Sequence, residues 1–284
     1  MGNCKKCHSS VYSRRDFIKK TAVASASLCI GINMASCKKE LSVNEKDYYI
    51  LRKEELLDDF DELSLIVKNI LLKKFPLSKV NKWKDEGKKD YSLLIPQLPY
   101  VGGDDSRLTR LLILSAAFIP YLKILRKNNI STRQIGEVIF DASKIYFDNE
   151  ISKPFRPLIG WYTLSRFKQN ASKKVALKTQ LRKYKEDWVM EFVEGEEGKF
   201  EYGINYKECG LVKLYKAHGV EEFTPYLCLT DYSLLSLLGI ELKRTQTIAN
   251  GGSFCDFRFI KNDKAPTGWP PESLPEWSGK FEKK

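Results

Sequence analysis

The sequence predicts an α+β protein, with a helical N-terminal half and C-terminal antiparallel β-hairpins packed on two helices. Three observations carry that expectation. Apolar residues recur at helical spacing through the first half, and two later stretches alternate around glycine-containing turns. No glycine-rich phosphate loop, strand-helix alternation or internal repeat is present. The expected organisation is a signal over residues 1–37, a tether over 38–50, a helical region over 51–186, an α+β region over 187–260 and an irregular surface tail over 261–284.

In chain order, Leu56, Leu57, Phe60, Leu63, Val67, Ile70 and Leu71 give residues 54–75 one apolar helical face, and Pro76 stops the run. Residues 79–90 read as a charged loop. Gly102-Gly103-Asp104-Asp105-Ser106 leads into an apolar helix reaching about Lys127, with a kink expected at Pro120. Ser131 and Gln134 form a capping box for a helix carrying Ile135, Val138, Ile139, Ala142, Ile145 and Tyr146. A basic helix over 171–185 follows. Residues 188–193 and 200–206 flank a Gly-Glu-Glu-Gly-Lys turn as a first hairpin. Helices over 207–218 and 225–238 end at Gly219 and Gly239, the second with Pro225 in its first turn. A second hairpin, residues 241–260, places Arg244-Thr245-Gln246-Thr247 on one strand and turns at Asn250-Gly251-Gly252.

The front of the chain reads as an address. Ser13-Arg14-Arg15-Asp16-Phe17-Ile18-Lys19 resembles the bacterial twin-arginine export motif, and a mildly apolar stretch follows to Ser36. Met34-Ala35-Ser36-Cys37 resembles a lipoprotein cleavage box, which would leave Cys37 diacylated and the protein on a membrane of the cell envelope. Cleavage near Ala35 would instead release a soluble protein. The expected partners are thus the twin-arginine translocase, a membrane held through the lipid anchor, and a small-molecule substrate. Cys4-Lys5-Lys6-Cys7-His8 spells a haem attachment pattern but precedes the arginine pair and would be removed, so no cofactor is implied.

Loss of residues 1–36 takes away six basic residues and one acid, and lowers the net charge from +12 to +7. That basicity suits an anionic lipid surface, and no zinc finger, Arg/Gly-rich tract or RNP-like strand argues for nucleic acid. Beyond Cys37 the cysteines are Cys209, Cys228 and Cys255, an odd set that argues against a disulfide framework.

Chemistry concentrates near the C-terminus. Period-2 alternation puts Cys255, Phe257 and Phe259 on one strand face and Asp256 and Arg258 on the other. Cys228, Asp231 and Leu235 share a face of the preceding helix. A carboxylate on so apolar a stripe needs a partner, and Arg244 or Arg258 can supply it. That pair could simply fix helix against sheet, and each cysteine could be core filler. Cys209, in a first helical turn, and Cys255, on the strand with Arg258, are the thiols open to activation. His218 reads as a helix C-terminal cap, no nucleophile elbow exists, and the Cys/Asp spacing does not form a metal-ligand pattern, so no metal is assigned.

Asn205-Tyr206 and Cys209 opening a helix, Cys228 and Asp231 in the next, Arg244-Thr245-x-Thr247, Gly251 and Cys255-Asp256-Phe257-Arg258-Phe259 occur in one order. In this the last third of the chain resembles the L-2-amino-thiazoline-4-carboxylic acid hydrolase family. The helical half is similar only in general character, and the tail from about Lys261 is extra. The resemblance implies opening of a cyclic amidine, or a related C–N bond, of a small carboxylated substrate, by addition to the C=N carbon of a thiazoline ring to give a carbamoyl-cysteine. Cys209, Cys228, Asp231, Cys255 and Asp256 are the catalytic candidates, and Arg244, Thr245, Thr247 and Arg258 the substrate-binding ones. The competing readings are a non-catalytic small-ligand binding protein on the same scaffold and a subunit supporting a partner enzyme.

Overall fold

The computed structural model describes residues 45, 47–262 and 264–282. The arginine motif, the cleavage box and Cys37 lie outside the described residues. Helix α1 (Lys53–Leu71) buries Leu56, Phe60, Leu63, Val67, Ile70 and Leu71, the expected stripe. Helix α2 (Leu77–Leu94) stands where a charged loop was expected. Val80, Trp83, Gly87, Tyr91 and Leu94 form its buried face, and its many charges point outward. Pro76 ends one helix and N-caps the next.

The apolar stretch after Gly103 is two helices, α3 (Arg107–Ala116) and α4 (Ile119–Lys127), rather than one kinked rod. Pro120 falls in the first turn of α4, where its missing N–H breaks no helical bond, so the chain interrupts before the proline. By length and composition Leu108–Lys127 could cross a membrane, but it is mostly buried in this core. Helix α5 (Thr132–Glu150) starts with the expected Ser131–Gln134 capping box. The basic segment is α6 (Arg156–Leu164) and α7 (Arg166–Thr179), earlier and longer in total than the single helix expected over 171–185.

Strands β1 (Val189–Glu196) and β2 (Phe200–Glu208) form the first hairpin, followed by α8 (Gly210–Ala217), α9 (Thr224–Leu237), β3 (Ile240–Lys243) and β4 (Cys255–Lys261). The sheet is antiparallel throughout, in the order β1-β2-β4-β3. Alternation gives it two unlike faces. Met190, Tyr202, Ile204, Leu242, Cys255 and Phe259 are buried on the inner face, where α7 packs on β1 and α9 on β3. Glu191, Glu201, Lys207 and Lys243 are exposed on the other, and Lys207 pairs with Glu191 there. The fold is thus α+β, helical first and sheet last.

One hydrophobic cluster runs from Tyr48 to Leu274 and joins the helical region to the sheet region. The Tyr215 hydroxyl of α8, donating to the Ser115 carbonyl of α3 at 2.9 Å, is one polar tie between them. Two boundaries differ from the sequence expectation. Asn205 and Tyr206 lie on β2 as expected, but the strand continues to Glu208, so the helix expected from 207 starts at Gly210 with Cys209 as its N-cap. Residues 244–254 form a loop between β3 and β4, so Arg244, Thr245 and Thr247 are loop residues. The tail also departs from a surface role, since Leu274 and Glu276 are buried.

Candidate functional site

Arg244 is the centre of the site, its side chain fully buried beneath the inner sheet face. Nη1 donates to Asp231 Oδ2 at 2.9 Å, and Nη2 to the Cys228 carbonyl at 2.9 Å. Nε and Nη2 donate to Glu276 Oε1 at 3.1 and 2.6 Å. The other Glu276 oxygen accepts from the Tyr232 hydroxyl at 2.6 Å. The guanidinium also lies over the rings of Phe257 and Tyr232, 4.7 and 5.2 Å from their centroids. Burying so many charges is tolerable only because nearly every donor meets an acceptor.

Asp231 is hemmed in by protein, yet its side chain keeps 36% of its surface accessible, whereas those of Arg244 and Glu276 keep 0%. The carboxylate therefore has one oxygen on Arg244 and part of its surface open. Burial raises its pKa, Arg244 offsets part of this, and the charge of Glu276 adds to the rise. For Arg244, burial acts downward, but Glu276 and Asp231 outweigh it and hold the group well above the ordinary guanidinium value.

The three thiols lie in the electrostatic neighbourhood of this carboxylate. Cys209, at the N-cap of α8, and Cys255, at the start of β4, each interact electrostatically with Asp231 and with one another. Cys228 lies three residues before Asp231 on α9 and interacts with both other thiols. Cys209 and Cys228 are half-buried, while Cys255 is buried and accepts from the Ile248 N–H at 3.3 Å. None is a resting thiolate. Burial raises all three, Cys255 to about 12. The expected activation of Cys255 by Arg258 does not occur in the resting state, because that guanidinium is on the other side of the sheet.

Cys209 is the thiol with the most opposing help. The N–H groups of Leu211 and Val212 act against the effect of burial, although they approach too loosely to form a cap hydrogen bond. Its partial accessibility and its proximity to Asp231 make it the best placed for reaction.

Asp256 and Arg258 sit apart from this cluster. In the β2–β4 register Asn205 opposes Asp256 and Gly203 opposes Arg258, all on the outer face. Arg258 donates to Asn205 Oδ1 at 2.9 Å and to the Phe257 carbonyl at 2.8 Å. Gly203 leaves the space it occupies, since a Cβ there would come within 2.8 Å of Arg258 Cδ. Asp256 accepts from the Thr245 and Gln246 N–H groups, each at 2.9 Å, and from the Thr245 hydroxyl at 2.6 Å. Thr247 caps the short turn at Ile248–Asn250 through the Asn250 N–H. Asp256, Thr245 and Thr247 thus hold the loop that follows Arg244, while Arg258 stays on the strand pair. Asp231, rather than Asp256, is the acid of the thiol cluster, and Arg244, rather than Arg258, is its partner.

A profile of the L-2-amino-thiazoline-4-carboxylic acid hydrolase family matches residues 112–259. The chain belongs to this family. No curated protein and no solved structure matches it. The stretch shared with the hydrolase family begins in α3 and ends in β4, so it contains all three thiols, Asp231 and Arg244. It extends well before the last third on which the sequence motifs lie. It stops before Glu276, the acid that sequence reading missed. The available hint was an isolated carboxylate within Leu274-Pro275-Glu276-Trp277, an acid among apolar neighbours.

His218 closes α8, but burial and Lys123 lower its pKa, which works against the protonated form that would complement the helix's negative end. Among the described residues no group of three or more His, Cys, Asp and Glu is arranged to hold a metal ion. A surface groove lined by Lys73, Lys74, Glu137 and Asp141 lies away from the thiols.

Proposed function

We propose that this chain is an envelope-exported hydrolase that opens a cyclic amidine of a small carboxylated molecule, with Cys209 as nucleophile and Asp231 as the proton-transfer group. Three free thiols coupled electrostatically to a partly open carboxylate that is paired with a buried guanidinium carry the reading. Family membership supports a hydrolase-like activity. The resting thiols are protonated, so Asp231 takes the Cys209 proton as sulfur adds to the amidine carbon. The ring C–S bond then breaks and the ring sulfur leaves with that proton. Water adds to the resulting isothiourea carbon, Cys209 is released as a thiol, and both nitrogens stay in a carbamoyl product. On this balance of atoms the ring opens at C–S, with no C–N bond broken and no ammonia formed. Arg244 is occupied by Asp231 and Glu276, so a substrate carboxylate is taken to meet the N–H end of α8 beside Cys209 in place of Arg244. Export with a lipid on Cys37 is part of the proposal and rests on the sequence motifs alone.

The runner-up is a non-catalytic small-ligand binding protein, favoured by the raised pKa of all three thiols. Incubation with 2-amino-thiazoline-4-carboxylate separates the two. A hydrolase releases one free thiol per ring opened, without ammonia. Thermal stabilisation by the ring compound with no thiol release is the binding outcome and refutes the hydrolase.

A further inference from the structure

The segment from Lys153 to Lys185 contains ten Lys or Arg and no Asp or Glu. It folds as α6 and α7, joined at Ser165. Helix α6 turns Gly160 and Thr163 inward. A Cβ at Gly160 would come within 2.0 Å of the Leu238 carbonyl, so this helix lies hard against the end of α9. Its opposite face carries Phe155, Leu158 and Trp161, exposed at 59%, 59% and 68%. Helix α7 turns Lys168 and Ala176 inward, and Phe167 and Leu177 on it and Leu181 just beyond it are exposed at 67%, 71% and 78%. Phe167 and Tyr162, with ring centroids 6.0 Å apart, link the two helices. So much exposed aromatic and aliphatic surface on one elbow is more than scattered single residues would give.

The charges beside this surface identify what covers it. Lys153, Arg166, Lys174 and Lys178 are exposed and enter no ion pair among the described residues. A second copy of the same elbow would bring like charges together around the apolar core, which disfavours self-association. A fluid anionic surface that accepts Trp, Phe and Leu a few ångströms deep while its headgroups meet Lys and Arg satisfies both features. We infer that the α6–α7 elbow docks on the surface of a membrane rich in anionic phospholipid. Trp161, Phe167, Leu177 and Leu181 enter the interface, and the lysines lie at headgroup level. This surface is separate from the thiol site, and the inference does not depend on the hydrolase reading or on how residues 1–44 are processed.

The test uses the full chain and vesicles of phosphatidylcholine with or without phosphatidylglycerol, one lipid carrying a photoactivatable acyl chain. Covalent label mapped by mass spectrometry is expected within residues 155–181 on phosphatidylglycerol vesicles, and to fall steeply on phosphatidylcholine alone. Leu177→Ser with Leu181→Ser is expected to reduce label in this segment about tenfold while the melting temperature stays unchanged. Label that reaches other parts of the chain but spares 155–181 overturns the proposal. So does a surface from which polyuridylate displaces vesicles while the paired serine substitutions have no effect, since it then reads as a polynucleotide site. The wild-type label map stands as a test even if the variant fails to fold.

Discussion

The two faces of β4 carry the same kinds of residue and do different work. On the inner face Phe257 lies against a guanidinium whose partners are two carboxylates, of which Asp231 alone keeps part of its surface open. On the outer face Arg258 meets the neutral amide of Asn205, and Asp256 bonds loop N–H groups. Period-2 geometry alone decides which arginine and which acid join the thiols. Charge near a cysteine along the sequence says little about charge near it in space.

The comparison breaks most visibly at the thiol. Cys209→Ala should lower turnover by about a hundredfold or more, the usual scale for loss of a group in the reacting set, while leaving thermal unfolding nearly unchanged. Arg258→Ala, on the outer face, should leave the turnover number within a few-fold of the parent. Steady-state thiol release measures both.

In stability the order of the two arginines should be as unequal. Arg244→Ala strands the buried Glu276 and should cost about 3–5 kcal/mol in denaturant unfolding, whereas Arg258→Ala loses hydrogen bonds worth about 1 kcal/mol. Equal costs would mean that the inner network adds nothing beyond ordinary contacts.

The smallest expected effect is in pH dependence. Activity that needs Asp231 ionised rises with pH through its raised pKa, so the acid limb should lie above the ordinary aspartate value of about 4. The negative charge of Glu276 helps raise that pKa, so Glu276→Gln should move the acid limb toward lower pH. Linkage gives the matching sign. Asp231 has a higher pKa folded than unfolded, so its contribution to stability is present below the unfolded value and lost as pH rises through the folded one.

Much of this was legible in the sequence where a periodic pattern had one interpretation. The Cys228–Asp231 spacing, the alternation of Cys255 through Phe259 and the Ser131–Gln134 box all reappear in space. Helix α2 was hidden because charge density over residues 79–90 masked a stripe of Val80, Trp83, Gly87 and Tyr91. Arg244–Thr247 has strand-like alternation, but the Asp256 carboxylate captures the Thr245 and Gln246 N–H groups and holds the segment as a loop. Apart from its apolar neighbours, nothing local in the sequence pointed from Glu276 to Arg244. It reaches Arg244 because Trp269 stacks on Phe140 of α5 and Trp277 packs against Tyr226 of α9, contacts between residues far apart in the chain.

Asp231→Asn and Asp256→Asn make the same chemical change on opposite sides of one sheet, and their turnover of 2-amino-thiazoline-4-carboxylate tests the central claim most directly. The inner-face variant should lose about a hundredfold or more in rate while keeping its fold, and the outer-face variant should keep its rate. Full activity in Asp231→Asn, or equal loss in both variants, would contradict a reacting centre built around the thiols and the partly open carboxylate.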